Sequence, residues 1–520
     1  MQGTGRTSRP QRENIVGVIV FVAALTLYIS TLAPSYLWGD PTKLLFYVLD
    51  HHFIGLGPGY GTHPLHNVLG YIFSFLPFSF AYSQNLLSAW FAAAAVYLVF
   101  RIIMETFEDL FAALAAAASM AVSHVFWLYA VLNESYSLLS FFTLLAFLLC
   151  LKWIKQPRDW HLYVLAATVG AGLANHALLV LAFPGFLALL WGKALFEFMF
   201  SWRIAVVFLA FLAGSCQIFL IPIMASGSLT AFAAQLVGDT SNTYQTFSGT
   251  FLQLIKELGG SPFYLLYQFP GFAIVLGALG LVIGFQRSPR LILSTVLIAL
   301  PILLFTSQYM KQRQFPMLIV TFSMFALWVG AGTSYLLDKF PRLRSTPICS
   351  ALLASLVLCP PTVYYSASRI AEAVQLDVSF IRTLPYRNSY SYYLFPPKNR
   401  ERGPQEYAAD AFRQAKTGAL ILADFNPGLV LVYEQRVMGQ RKDLEIGIYI
   451  DDWSHYSSDP TAATMDFLRE QVVAKGRILY LADDWDPYYH SAEIRKEFHL
   501  ERVGGPLWEV TAKSKPSPSN

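Results

Sequence analysis

Charged residues are scarce in this chain. Asp, Glu, Lys and Arg together make up 13% of its 520 residues, whereas hydrophobic residues make up 55%. A soluble domain carries roughly a quarter of charged residues. The composition therefore excludes an ordinary soluble protein and indicates an integral membrane protein.

Cysteines are also few. Cys150, Cys216, Cys349 and Cys359 all fall within apolar stretches, without the spacing of a zinc site or of a disulfide framework. We interpret them as small buried hydrophobic residues. The sequence does not point to a particular cofactor and identifies no metal ligands. Its polar residues are compatible with a divalent metal ion.

What the chain has in abundance is long apolar runs. Their lengths are near the roughly 20 residues that a helix needs to cross a bilayer, and in lipid the backbone must satisfy its own hydrogen bonds. The prediction is a mainly α fold, in which residues 1–366 form a transmembrane domain, a polytopic membrane helix bundle. We predict eleven spans, over residues 15–33, 84–104, 110–131, 135–153, 160–174, 177–193, 203–223, 264–286, 290–307, 315–337 and 347–366.

The first span is followed by a long loop, predicted over 34–83. Its apolar segment 65–81, interrupted by Pro77, is predicted to dip into the membrane. The first span itself is longer than the apolar core of a signal peptide, and no convincing cleavage site follows it. We therefore expect an uncleaved helix.

The distribution of Lys and Arg predicts the orientation. With the N-terminus inside, the outer segments up to residue 366 hold only Lys43, Lys256, Lys311 and Arg313. Positive charge stays on the cytoplasmic side, so we expect a plasma-membrane protein with its N-terminus in the cytoplasm. The inner segments hold Arg6, Arg9, Arg12, Arg101, Lys152, Lys155, Arg158, Lys193, Arg203, Arg287, Arg290, Lys339, Arg342 and Arg344.

The composition changes near residue 367. A Tyr- and Pro-rich linker over 367–404 is expected to lie along the outer membrane surface, where Tyr is favoured. Predicted strands at 418–425, 444–450 and 477–483 then alternate with predicted helices at 427–438, 461–474 and 491–498. This alternation predicts a small, mostly parallel α/β domain over 405–512, outside the cytoplasm, followed by a disordered tail at 513–520.

Polar residues collect at the predicted outer ends of the spans. Ionisable groups near membrane level are costly and tend to mark function. Two acids, two histidines and a basic pair would suit transfer of a group from a phosphate-linked lipid: cations hold the phosphate, and a carboxylate takes a proton from the acceptor. These residues are Asp40 and His63 in the first loop, Glu134, His176, and the pair Lys311 and Arg313.

Each of these residues also has a structural interpretation. Asp40 precedes Pro41, as an N-cap precedes proline in the first turn of a helix, and capping and catalysis can coexist. Glu134 could be a solvated turn residue or a cap, and His176 a satisfied histidine of the core. Lys311 and Arg313 depart from the charge rule, which favours a lipid-phosphate site at least as much as simple solvation.

Several motifs occur together in a recognisable order. "TLAPSYLWGD", "GPGYGTHPL" and "VLGYIFSFLP" are followed by "WLYAVLNESYSL" and "GAGLANH", and the soluble part contains "ADAFRQAKTGALILADFNPGLVLVYEQRVMGQRKDLEI". In this order the chain resembles the GT-C superfamily of membrane glycosyltransferases, in the bacterial and animal branch that includes the transmembrane-protein-260 type protein O-mannosyltransferases. The similarity covers most of the chain.

The resemblance implies a helix bundle with a catalytic first outer loop. It also implies an activity: transfer of a sugar, with mannose as one candidate, from a polyprenyl-phosphate donor to a protein or glycan acceptor outside the cytoplasm. Nucleic acid is not among the implied partners, and a bacterial inner membrane is the implied location. By motif, Asp40 matches the loop acid, His63 the loop histidine, Glu134 the second acid and His176 the turn histidine, with Tyr136 in register beside Glu134. Lys311 and Arg313 match the donor-phosphate contacts by position and not by motif. The resemblance thus implies catalytic roles for Asp40 and Glu134 and substrate-binding roles for His63, Tyr136, His176, Lys311 and Arg313.

The chain departs from the family at two places. Lys43 stands where the family has a second acid in the first loop, and the family's His-Pro-Pro-Gly-Tyr-Pro motif is split into "GPGY" and "THPL". These departures leave a second hypothesis open: a GT-C-fold protein that binds or assembles without turnover. A transporter fits less well, because the inner ends of the spans lack the acids and paired broken helices of that class.

Overall fold

The structure is a computed structural model that describes residues 9–55, 63–228, 230, 251–308, 315–377, 382–448 and 460–513. By its internal contacts the chain divides into two compact units. Unit 1 comprises Met1–Ala33, Tyr47–Leu376 and Tyr390–Asn399; unit 2 comprises Pro34–Phe46, Asp377–Ser389 and Arg400–Asn520.

Unit 1 is built of helices. Six described helices are long and apolar enough to cross a membrane, and two bent helix pairs raise the number to eight if each pair is one span. The mainly helical membrane fold predicted from composition is confirmed. The helices with most of their residues in unit 1 are Arg9–Ser30, Pro64–Phe73, Phe80–Phe107, Leu110–Ala121, His124–Ala130, Tyr136–Lys155, Asp159–Asn175, Phe183–Leu190, Lys193–Met199, Ile204–Gly214, Leu220–Ser226, Phe251–Gln268, Phe272–Arg287, Pro289–Gln308, Ile319–Lys339, Thr346–Ala373 and Ser389–Leu394, with 3₁₀ turns at Ala177–Ala182, Phe315–Leu318 and Pro341–Arg344.

Several predicted spans are not single straight helices. The span predicted over 110–131 bends by 67° between Ala121 and His124. The span predicted over 177–193 consists of the helical stretch Ala177–Leu190, after which the chain turns by 113° into the helix Lys193–Met199. The span predicted over 264–286 is interrupted between Gln268 and Phe272. There Pro270 cannot donate a backbone hydrogen bond, and Gly271 has a φ of 71°, outside the helical region.

Small residues let the helices of unit 1 approach closely. Gly280 and Gly332 lie where the helices Phe272–Arg287 and Ile319–Lys339 cross: a Cβ on Gly280 would lie 1.8 Å from the carbonyl oxygen of Trp328. A Cβ on Gly332 would lie 2.0 Å from the carbonyl oxygen of Leu276. Because lipid gives no hydrophobic drive between helices, such close backbone contact is a main source of their association.

Unit 2 contains the α/β domain. Its strands are β1 (Leu420–Ala423), β2 (Glu445–Ile448), β3 (Leu479–Leu481), β4 (Phe498–Arg502) and β5 (Trp508–Ala512), in the order β2-β1-β3-β5-β4. β1 pairs in parallel with β2 and β3, whereas β5 pairs antiparallel with β3 and β4. The helices are Gly403–Gln414, Phe425–Arg436, Pro460–Leu468 with a π turn at Arg469–Ala474, Asp486–Tyr489 and Ser491–Glu497, and the helix Asp40–Leu49 begins in this unit.

Two parts of the unit 2 fold were not foreseen. The final hairpin β4–β5 was not predicted, because the short, charged strand "FHLER" lacks an apolar run. Residues 34–46 of the first loop also belong to this unit, although more than 350 residues of chain separate them from the sheet.

Candidate functional site

The geometry of unit 1 brings three of the predicted site residues together. The His63 and His176 rings lie 4.9 Å apart between centroids. Tyr136 follows at 5.3 Å from His176, and Tyr129 lies 5.4 Å from Tyr136. Four rings therefore form a row, which we call the ring row: Tyr129, Tyr136, His176 and His63.

His63 has a left-handed backbone conformation, and its ring makes a short hydrogen bond to the backbone of Asn175. It precedes the helix Pro64–Phe73 with φ 44° and ψ 55°, a left-handed conformation that costs a residue with a side chain roughly 1–2 kcal/mol. Its Nδ1 lies 2.6 Å from the carbonyl oxygen of Asn175. Because a carbonyl only accepts, Nδ1 carries a proton and, in the neutral ring, Nε2 is the acceptor. Ser135 Oγ lies 3.5 Å from that Nε2.

His176 has the opposite tautomer. The helix Asp159–Asn175 ends just before it, and the backbone N–H of Leu178 donates to its Nδ1 over 3.2 Å. Nε2 therefore carries the proton of the neutral ring. Burial, and next the neighbouring His63, lower the pKa of His176 well below its ordinary value, so the ring is neutral at pH 7.

Glu134 is fixed through its backbone by Ser88. The Glu134 N–H donates to Ser88 Oγ, and the Ser88 hydroxyl donates to the Glu134 carbonyl, both over 3.1 Å. The Glu134 side chain is buried, with 8% of the residue exposed, and it lies within electrostatic reach of the phenol of Tyr129. The turn thus places a buried carboxyl group near Tyr129, at one end of the ring row.

Two residues that hold this arrangement, Asn175 and Ser135, were not predicted from the sequence. Asn175 also donates from Nδ2 to the carbonyl of Ser135 over 3.1 Å, which joins the two turns that carry His176 and Glu134. Asn175 and Ser135 are direct neighbours of predicted site residues in "LANH" and "NES". That adjacency was the available signal, but their neutral side chains gave no chemical reason to select them.

Asp40 lies in unit 2, at the start of the helix Asp40–Leu49. The N–H groups of Thr42 and Lys43 donate to the carbonyl of Gly39, so Gly39, with φ 79°, takes the N-cap position and Asp40 is the first helical residue. The predicted capping role is therefore shifted by one residue. Asp40 is exposed, whereas Tyr36, Leu37 and Trp38 before it are buried.

Three basic residues considered in the sequence remain: Lys43, Lys311 and Arg313. The Lys43 ammonium lies 6.0 Å from the centroid of the Phe425 ring in unit 2. Lys311 and Arg313 lie outside the described residues. Within the described part of the chain, no three His, Cys, Asp or Glu side chains group as metal ligands would.

Comparison with solved structures identifies the fold. The chain superposes on ArnT from Cupriavidus metallidurans in the apo state with a TM-score of 0.55, 15% identity, and coverage of 96% of this chain and 98% of that one. For ArnT bound to undecaprenyl phosphate the TM-score is 0.57, with 16% identity and coverage of 95% and 97%. The oligosaccharyltransferase of Archaeoglobus fulgidus gives 0.50, with 14% identity over 96% of this chain and 73% of that one. The protein therefore has the GT-C type fold, as the sequence resemblance predicted.

Comparison of the sequence with protein families gives a match over part of unit 1. Residues 54–196 match the family described as the protein O-mannosyl-transferase TMEM260 N-terminal domain, which confirms the resemblance given by the motifs. The matched range contains His63, Glu134, Tyr136 and His176, whereas Asp40 precedes it. No curated protein sequence matches the chain.

Proposed function

We propose that this protein is a glycosyltransferase that moves a sugar from a polyprenyl-phosphate donor to a protein or glycan hydroxyl outside the cytoplasm. The observation that carries the proposal is the fold likeness to ArnT over nearly the whole of both chains, one of those structures holding undecaprenyl phosphate. The match of residues 54–196 to a protein O-mannosyl-transferase family supports mannose as the sugar and a protein as the acceptor.

Asp40 is proposed to activate the acceptor. Its carboxylate is exposed in the first turn of its helix, so an acceptor hydroxyl can reach it. The acceptor oxygen attacks the anomeric carbon, and its proton passes to Asp40. The bond between the anomeric carbon and the phosphate oxygen breaks, and its electron pair leaves with the polyprenyl phosphate. Attack opposite the leaving group inverts the anomeric centre.

The other predicted site residues are proposed to hold the donor. Glu134, His63, Tyr136 and His176 would bind sugar hydroxyls through one buried carboxyl group, two imidazoles of opposite tautomer and a phenol. The tautomers support this role, because His176 offers an Nε2–H donor and a neutral His63 ring would offer an Nε2 acceptor. Lys311 and Arg313 would bind the phosphate, which their positive charge supports.

The proposed location is the inner membrane of a bacterium, with the N-terminus in the cytoplasm and the soluble domain outside. The asymmetry of Lys and Arg along the sequence supports this orientation. A donor made of a long prenyl chain is available only from a membrane, which agrees with the apolar, span-length helices of unit 1.

The test is sugar transfer by the purified protein in lipid nanodiscs. Radiolabelled polyprenyl-phosphate mannose and a Ser/Thr-rich peptide should yield labelled peptide and one polyprenyl phosphate per sugar transferred. Binding of the donor without any transfer would instead support the alternative function, a binding or assembly subunit. Lys43 in place of a second loop acid is the observation that favours this alternative.

A further inference from the structure

The loop segment that carries Asp40 is an integral part of unit 2. Residues 34–46 cluster with the α/β domain, and they are anchored on both sides of the exposed Asp40. Tyr36, Leu37 and Trp38 are buried before it, and Leu44, Leu45 and Phe46 are buried after it. The loop is therefore held by its flanks while the carboxylate stays accessible.

The strongest anchor is a buried hydrogen bond between Tyr36 and Glu434. The Tyr36 hydroxyl donates to Glu434 Oε1 over 2.5 Å, across 398 residues of sequence. The second carboxylate oxygen accepts from the Gln440 side-chain amide over 2.9 Å. Burial, and next the Glu434 carboxylate, raise the pKa of Tyr36, so its hydroxyl stays protonated as the donor. Each oxygen of the Glu434 carboxyl group therefore has a hydrogen-bond donor.

Aromatic and backbone contacts complete the anchor. The Tyr36 ring lies 4.5 Å from the Tyr433 ring, and the Gln405 side chain donates to the Tyr36 carbonyl over 2.8 Å. On the other side of Asp40, the Phe46 ring lies 5.3 Å from the guanidinium of Arg436. Tyr433, Glu434 and Arg436 all belong to the helix Phe425–Arg436.

The same helix also meets the turn that begins the Asp40 helix. Gly39 has φ 79°, and a Cβ there would lie 3.2 Å from Asn426 Oδ1. The turn before Asp40 thus passes so close to the helix that a side chain at residue 39 would crowd it. Both ends of the helix Phe425–Arg436 contact the Asp40 segment.

We propose that Glu434 and Tyr36 are positioning residues for Asp40. By this inference, which rests on the proposed function, the helix Phe425–Arg436 sets the place of the catalytic loop, and the soluble domain is part of the catalytic apparatus. A misplacement of about 1 Å in a reacting group can cost roughly 100-fold in rate. The loss of the anchor therefore lowers turnover without a change in donor affinity.

The experiment combines kinetics and hydrogen exchange on the full-length protein in nanodiscs. Tyr36→Phe and Glu434→Ala should each lower kcat by about 10- to 100-fold and leave KM for the lipid donor unchanged. Both should speed amide exchange in residues 34–46. Glu434→Gln should restore most of both, because its amide oxygen accepts from Tyr36 and the Gln440 amide can turn over to match it.

A matched control exists in the same unit. The Tyr386 hydroxyl donates to Asp410, so Tyr386→Phe removes an exposed tyrosine–carboxylate bond in which no residue of 34–46 takes part, and kcat and exchange in 34–46 should stay at wild-type values. The double variant Y36F/E434A should be no slower than Glu434→Ala alone, because that substitution already removes the bond from Tyr36.

The outcomes separate this inference from the proposed function. A wild-type protein that transfers no sugar overturns the proposed function and, with it, the catalytic part of the inference. A wild-type protein that transfers sugar while Tyr36→Phe and Glu434→Ala keep wild-type kcat overturns the positioning role alone. Wild-type exchange in residues 34–46 of both variants shows that the bond is no anchor, which also overturns it.

Discussion

The ring row shows how hydrogen-bond partners select the tautomers of two neighbouring histidines. His63 and His176 have neighbouring rings, and two charged imidazoles could not stay that close without strong repulsion. Their partners, the Asn175 carbonyl and the Leu178 N–H, select opposite tautomers. His176 therefore presents an Nε2–H donor, and a neutral His63 ring would present an Nε2 acceptor beside it.

The lowered pKa of His176 gives a stability that depends on pH. In the unfolded chain the histidine binds a proton as the pH falls through about 6.5, but in the folded protein it stays neutral to a lower pH. The unfolded state then binds more protons, so stability is full above pH 6.5 and declines as the pH falls below it.

We therefore expect the melting temperature of the purified protein to fall between pH 7.5 and pH 5. His176→Asn, whose Oδ1 can still accept from Leu178, should reduce this fall. Part of it should remain, because burial also lowers the pKa of His66. Differential scanning fluorimetry across the pH series measures both, and an equally steep decline in the variant would contradict the assignment to His176.

Arg382 has a structural role that mutation can isolate. Its guanidinium pairs with Asp424, at the end of β1, and lies 2.6 Å from Asp483 Oδ2, just beyond β3. Arg382 and Asp424 are largely buried, with 11% and 2% of their side chains exposed. Arg382→Met leaves two carboxylates without their cation, which costs roughly 3–5 kcal/mol when such a pair is buried.

Hydrogen exchange of the β1 and β3 amides should report that loss as a lower free energy of unfolding of the sheet. The triple variant R382M/D424N/D483N should recover much of it, since no buried charge is left alone. Arg413→Met, which breaks an exposed pair with Asp410, is the control and should have little effect. Unchanged exchange in Arg382→Met would show that the pair does not stabilise the sheet.

At the scale of elements, the helix crossing at Gly280 and Gly332 is the most sharply defined contact of unit 1. A methyl group at residue 332 would meet backbone, not a flexible side chain. The helices would have to separate, and overpacking of this kind costs up to about 3 kcal/mol.

Gly332→Ala should therefore lower the melting temperature of the detergent-purified protein. Gly259→Ala is the matched control: it lies within the helix Phe251–Gln268, and a Cβ there meets nothing within 4 Å. It should be neutral or slightly stabilising, because Ala favours helix over Gly. Equal melting temperatures for the two variants would mean that the crossing does not determine stability.

Elements were predictable where one local pattern dominates. The helix Phe80–Phe107 covers the span predicted over 84–104, and the helix Tyr136–Lys155 matches the span predicted over 135–153 to within one residue at its start, because apolar length alone determines them. The parallel strands β1 to β3 fall within their predicted segments for the same reason. The bend after Ala121 has no proline or glycine to mark it, and β4 and β5 depend on pairing with each other, which a local pattern does not reveal.

The candidate site was predictable only in part. The predicted topology puts the polar turns on the outer side of the membrane, so His63 and His176 were expected in one region. In the structure their rings lie 4.9 Å apart between centroids. The bonds that hold them, from Asn175 and Ser135, depend on tertiary packing and carry no sequence signal of their own. The catalytic and binding roles of Asp40, Glu134, His63, Tyr136, His176, Lys311 and Arg313 stay predictions.

At the scale of the whole molecule, the first loop does not follow the order of the chain. Residues 34–46 leave the first helix and join a domain whose sheet begins at Leu420. No composition or periodicity could reveal this, because the contacts of Tyr36 and Trp38 are with aromatic residues far along the sequence. The consequence is that a domain that looked separable from the membrane part holds the proposed catalytic acid.

The most direct test of the account is therefore the transfer rate of Asp40→Asn. Asparagine keeps the size of the side chain but cannot take a proton, so kcat for transfer from polyprenyl-phosphate mannose to peptide should fall by about 100-fold or more. Asp50→Asn, the same change just beyond the end of the same helix, should keep the wild-type rate. A wild-type rate for Asp40→Asn in an active preparation would contradict the account.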